Sequence, residues 1–133
     1  MRRRLLTASF VVCLASTALG GVIYKVTCKD DKCGFTSSIS VGGILKANRA
    51  SGYCTTCKQF VKVEWPRQLP GKPVQPAPVA GEIWDGVSGR TIRLFHCPHC
   101  RRPFAEIKGI EELKHCPKCS NASPVTTREG TED

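Results

Sequence analysis

The sequence predicts a small, mostly β fold. Two metal-stapled four-cysteine modules are joined by a proline-rich linker, behind an N-terminal signal or anchor segment. Three observations carry this expectation. Nine cysteines stand in 133 residues, and eight of them fall into closely spaced pairs. The runs between pairs alternate apolar with polar residues, which is the period of a half-buried strand. Five prolines crowd "PRQLPGKPVQPAPVAG", Pro66 to Gly81, between one set of four cysteines and the next.

Residues 1–20 read as targeting. Arg2, Arg3 and Arg4 form a basic start, and "LLTASFVVCLASTALGGVIY" follows without a charge. Ala18 and Gly20 supply small residues for cleavage after Gly20. The alternative is an uncleaved anchor reaching to about residue 24. Either reading places the remaining chain outside the cytoplasm, periplasmic or secreted, or anchored to the membrane with its cysteine modules outside. Cys13 lies within this segment and lacks the small preceding residue of a lipoprotein site, so it is set aside.

Residues 22–65 form the first expected module. "VIYKVTC" reads as a strand entering Cys28, and "GFTSSISVGGILKA" as strand, Gly-Gly turn, strand. "GYCTTCKQFVKVEWP" gives a tight turn and then an alternating strand that stops at Pro66. The linker, 66–81, favours extended polyproline-like chain and reads as a semi-rigid connector. Residues 82–122 form the second module. "EIWDGVSGRTIRLFHC" holds a hairpin whose loop runs from Asp85 to Gly89, "PFAEI" a returning strand and "KGIEELKHC" one helical turn. The polar end, 123–133, is expected to fray as a flexible tail. Modules of about 45 residues bury too little apolar surface to fold unaided, so a staple is expected of each. Trp65, Trp84, Phe35, Phe60, Phe95 and Phe104 are expected to fill the two small cores.

The second set of cysteines, Cys97, Cys100, Cys116 and Cys119, reads C-x2-C-x15-C-x2-C, within the spacing of a four-cysteine zinc site. Two intervening residues let a tight turn aim both sulfurs at one metal, and backbone N–H groups in that turn offset thiolate charge. "HCPHC" and "HCPKC" repeat the same frame. The first set, Cys28, Cys33, Cys54 and Cys57, reads C-x4-C-x20-C-x2-C and is less regular. Gly34 after Cys33 suits a turn that needs positive φ. On "CKDDKCG", "GYCTTC", "HCPHC" and "HCPKC" the chain resembles tandem zinc-ribbon or rubredoxin-like zinc-knuckle proteins. That resemblance implies that each pair contributes two ligands, that the metal is structural and that the module serves interaction rather than a reaction. Lys58, Arg101 and Ser120 stand where glycine often follows a knuckle.

Zn2+ at two sites is the expected cofactor, with iron the competitor, since four thiolates in a tetrahedron suit both. Lys29, Lys32, Lys58, Arg101, Arg102, Lys114 and Lys118 flank the cysteines and would favour the thiolate state. His96, His99 and His115 are expected at the surface or hydrogen-bonded behind the ligands.

The formal net charge of +9 falls to +6 without the three arginines. Eight thiolates on two divalent ions lower it by four more, to about +2, a weak basis for nucleic-acid binding. The expectation is an exported, non-enzymatic zinc protein that meets another protein, meets no nucleic acid if exported, and touches a membrane only through an uncleaved N-terminal segment. Three other readings compete. Cys97-Pro98-His99-Cys100 is the tetrapeptide of periplasmic thiol oxidants. The cysteines could close as disulfides in an exported domain without metal. A cytoplasmic chain would be a nucleic-acid-binding zinc ribbon.

Overall fold

The computed structural model describes residues 20–44 and 46–132. The expected signal segment and Cys13 lie outside these residues, apart from Gly20. Eight strands and one 3-10 turn make up the described chain, in the order β1 (Gly21–Cys28), β2 (Thr36–Val41), β3 (Ala47–Cys54), β4 (Gln59–Pro66), β5 (Val79–Asp85), β6 (Arg90–His96), β7 (Pro103–Ala105), the turn Ile110–Glu112 and β8 (Pro124–Glu132). The fold is thus small and mostly β.

The strands form three antiparallel groups: β2-β1-β8, the hairpin β3-β4, and β5-β6-β7. Period-two burial selects the inner faces. In β1, Val26 and Cys28 are buried while Lys25 and Thr27 face water. In β2 the buried pair is Ile39 and Val41. Val61, Val63 and Trp65 share the inner side of β4. Two cores result. One gathers Val26, Cys28, Phe35, Ile39, Val41 and Cys116. The other gathers Ala50, Cys54, Val61, Phe95, Cys97 and Phe104.

The polar C-terminal segment is a strand rather than a frayed tail. Thr27 pairs with Val125 and Gly21 with Glu132 along the free edge of β1. Val125, Thr126 and Thr127 are good strand formers, and an open edge of β1 supplies the hydrogen-bond partners that an isolated tail lacks.

The division into two consecutive modules is likewise corrected. The segment 47–107 folds as one unit, β3-β4 against β5-β6-β7, with Ile107 N–H donating to the Ser51 carbonyl at 2.7 Å. The segments 20–43 and 109–132 come together around it through β1 and β8. The proline-rich stretch therefore joins two hairpins of the inner unit, not two modules. Its end is structured: Ala77 and Val79 pack on the inner core, and β5 begins at Val79.

Gly52 decides how β3 meets β7. A Cβ on Gly52 would lie 2.1 Å from the Ala105 carbonyl oxygen and 2.6 Å from Phe104 Cδ2. Only a residue without a side chain lets those backbones approach so closely. Arg49, three residues before Gly52 on β3, is buried, and it ties four strands. Its guanidinium meets Glu64 of β4 at 2.6 Å, Ser40 Oγ of β2 at 2.5 Å, and Glu132 of β8. Of the six large aromatics expected in the cores, Phe35, Phe95 and Phe104 are buried, and Phe60 and Trp65 pack at their margins. Trp84 is instead 69% exposed. It lies on β5 at the edge of its sheet, where no second layer covers it.

Candidate metal centres

Four tight turns carry the cysteines. The first joins β1 to β2. Asp30 N–H approaches Cys28 Sγ at 3.4 Å, and the Asp30 carboxylate accepts from Lys32 N–H at 3.0 Å. Cys33 N–H closes on the Asp30 carbonyl at 3.0 Å. The second turn joins β3 to β4, where Cys57 N–H reaches Cys54 Sγ at 3.4 Å. The third joins β6 to β7. Its ends are pinned by Arg101 N–H on the Cys97 carbonyl (2.9 Å) and Cys97 N–H on the Arg102 carbonyl (2.8 Å). The fourth precedes β8 and repeats that pattern, with Ser120 N–H on the Cys116 carbonyl and Cys116 N–H on the Ala122 carbonyl, both 2.8 Å.

Each turn leaves its second cysteine through a left-handed residue. Gly34 has φ 59°, Lys58 55°, Arg101 64° and Ser120 59°. Lys58, Arg101 and Ser120 thus adopt the conformation in which glycine was the expected residue, at a cost of roughly 1–2 kcal/mol each. The turn geometry is common to all four despite the sequence departures.

The structure gathers all eight sulfurs in two groups of four, within 4.8 Å of one another in each. The grouping differs from the one expected. Cys28 and Cys33 join Cys116 and Cys119, and Cys54 and Cys57 join Cys97 and Cys100. The four turns are therefore nested, first with fourth and second with third. The repeated frame of "HCPHC" and "HCPKC" marks the same local turn, not membership of the same site. Hairpin packing sets the pairing. Phe95 of β6 packs in one core with Cys54, Val61 and Cys97, which sets the third turn against the second, and Trp65 of β4 stacks on Phe95 with ring centroids 5.6 Å apart. The β1–β8 ladder brings the fourth to the first, and Lys118 Nζ locks them with a 2.9 Å bond to the Cys33 carbonyl.

The geometry fits a tetrahedral metal. The closest sulfurs across turns are Cys28–Cys119 at 3.7 Å, Cys33–Cys116 at 3.8 Å, Cys54–Cys100 at 3.5 Å and Cys57–Cys97 at 3.8 Å. Metal–sulfur bonds of about 2.3 Å in a regular tetrahedron set sulfur–sulfur edges of about 3.8 Å. A disulfide would need about 2.05 Å. Four cysteines in each group would complete the coordination of such an ion, as in a closed structural site rather than an open catalytic one.

Electrostatics divides the thiols. Cys54 is lowered to about 7, chiefly because the Cys57 amide donates to its sulfur. Cys119 is lowered to about 7 by the Asn121 amide. Cys57 is pushed up to about 12, first by sharing a proton with Cys100 and then by burial. Cys28 also rises to about 12: the Asp30 amide pulls it down, but burial and the thiols of Cys116, Cys119 and Cys33 outweigh that. Crowded thiols cannot all ionise by themselves, and a divalent cation removes that repulsion.

Tyr53 stands between the centres. Burial raises its phenol, with charge from Cys116, Cys33 and Cys54 adding to the shift, so it senses both groups. Its ring meets Phe60 edge-on at 5.5 Å, and both rings meet Phe35 at about 6 Å. The histidines are exposed and belong to neither sulfur group. His96 Nδ1 lies 2.9 Å from the Arg101 carbonyl, behind the third turn.

Arg49, Gly52 and the Phe35–Tyr53–Phe60 set were not singled out together from sequence. Gly52 carried a readable signal, a glycine inside a strand pattern. Arg49 carried none, because its partner Glu132 lies 83 positions away.

Comparison with family models, with curated proteins and with solved structures found no match to this chain.

Proposed function

We propose that this is an exported zinc protein whose two four-cysteine centres are structural and whose surface serves protein interaction. The observation that carries the reading is the pair of four-sulfur groups, each within 4.8 Å, with contacts of 3.5–3.8 Å across the turns. Zinc is the ion proposed, as a structural ion that supplies folding energy; four thiolates in a tetrahedron accept iron as well, and elemental analysis separates the two. Three exposed large apolar side chains on the β5–β6 hairpin, Ile83, Trp84 and Val87, support an interaction role. Export rests on the sequence of residues 1–20. Cleavage after Gly20 would leave β1 whole, since that strand begins at Gly21.

Elemental analysis of protein recovered from its own compartment tests the metal. Two zinc ions per chain are expected. Metal-free protein with its thiols oxidised would overturn the reading in favour of a disulfide-stapled domain, and iron would correct the ion. N-terminal sequencing of the mature chain tests export, with Gly21 expected first. A fused reporter retained in the cytosol would overturn it and restore the nucleic-acid reading.

A further inference from the structure

Beyond the sulfur centres, the described chain holds a basic cleft where β4 gives way to the proline-rich stretch. Two adjoining cavities share Pro66, Arg67 and Leu69. One, of about 290 Å³, adds Lys72, Pro73 and Gln75; the other, of about 600 Å³, adds Lys46 and Gln68. Lys46, Arg67 and Lys72 bring three positive charges, and among the described residues no carboxylate lines either cavity. Glu64 lines a neighbouring depression, but it is engaged by Arg49 at 2.6 Å and Lys62 at 3.7 Å.

Arg67 is held ready rather than splayed into water. A Cβ on Gly43 would lie 3.2 Å from its Nη2, so the guanidinium sits against the glycine turn before β3. Its Nε is buried and has no hydrogen-bond partner among the described residues. A buried charged donor without an acceptor is costly, and such groups are normally satisfied. Among the described residues, Lys46, Arg67 and Lys72 form no ion pair.

We propose that this cleft binds an organic phosphate. A guanidinium fork donates to two phosphate oxygens at once, and two lysines balance the phosphate's negative charge as point charges. The cavities exceed the size of a bare phosphate. Leu69, Pro66 and Pro73 offer apolar wall for an attached organic group. The same chemistry is presented by a free phosphomonoester and by an anionic phospholipid headgroup.

The test uses the full mature chain with metal bound, at low ionic strength. Calorimetric titration with glycerol phosphate and with inorganic phosphate is set beside co-sedimentation with phosphatidylglycerol or phosphatidylcholine vesicles. Glycerol phosphate is expected to bind more tightly than inorganic phosphate if the ligand is free, and phosphatidylglycerol alone to pull the protein down if it is a headgroup. Either result supports the site, provided Arg67→Gln weakens it at least tenfold while metal content stays at the wild-type value. Arg67→Lys, which keeps the charge and loses the fork, should fall between. If Arg67→Gln loses its metal or its fold, the Lys46→Gln/Lys72→Gln double variant carries the test, with the same tenfold loss expected. Absence of binding to every probe, or binding that neither variant changes, overturns the proposal.

Discussion

Cys28 Sγ lies 3.7 Å from Cys119 Sγ, although the two residues are 91 positions apart. This contact closes the outer centre across almost the whole described chain, with the inner centre contained within it. Pairwise cysteine replacement tests the nesting. Cys28→Ser with Cys119→Ser should leave one metal ion per chain, because both belong to one centre. Cys28→Ser with Cys54→Ser should leave none. Consecutive pairing would give the opposite stoichiometries, so metal analysis of the two double variants decides.

Gly52→Ala should destabilise the metal-bound protein by about 3 kcal/mol, through overpacking against Phe104 and Ala105. Gly81→Ala on β5 is the control, since nothing lies within 4 Å of the added carbon. Denaturant unfolding should show a large shift of midpoint for the first and almost none for the second.

The left-handed residues after the second, third and fourth turns give the reverse sign. Lys58→Gly, Arg101→Gly and Ser120→Gly should each stabilise by about 0.5–1 kcal/mol, the relief of backbone strain exceeding the added chain entropy. Gly34→Ala should cost about 1 kcal/mol. Thermal unfolding of the metal-bound variants checks all four.

Burial alone would raise the Glu132 carboxyl, but hydrogen bonds from Arg49 and Ser40 outweigh it and hold it below its ordinary value of 4.5. A lowered carboxylate stabilises the fold above its unfolded pKa and loses that contribution as pH falls through the folded value. The Arg49–Glu132 tie should therefore be fully present above about pH 5 and fade below 4.5. Glu132→Gln should be less stable than wild type at pH 7, and the difference should shrink in acid. Arg49→Met should cost about 1–3 kcal/mol at neutral pH, since it strips a buried charge from Glu64 and Glu132, which remain partly hydrated.

Metal uptake should release protons, because the Cys28 and Cys57 thiols, at about 12, must ionise to bind. Affinity should rise with pH and fall steeply once pH drops below about 7, where the Cys54 and Cys119 thiolates also take up protons. Titration of the metal in weakly buffered solution measures the release. A chelator should unfold the chain, lowering its strand signal in circular dichroism.

The sequence by itself determined what is local. Pair spacing identified the eight cysteines of the sulfur groups. β-Branched and aromatic content placed β1, alternation placed β4, the run into Cys97 placed β6, and the Asp85–Gly89 loop is closed as expected by Gly89 N–H on the Asp85 carbonyl. These features depend on a few neighbouring residues and on backbone geometry. The tertiary structure decided which turns meet, that residues 124–132 pair with β1, and that Trp84 stays outside while Phe95 is buried. Doubling a loop costs only about 0.6 kcal/mol in closure entropy, so nearness in sequence hardly favours one cysteine grouping over another. The stack of Trp65 on Phe95, the bare face of Gly52 and the open edge of β1 outweigh that small term. They nest one centre inside the other.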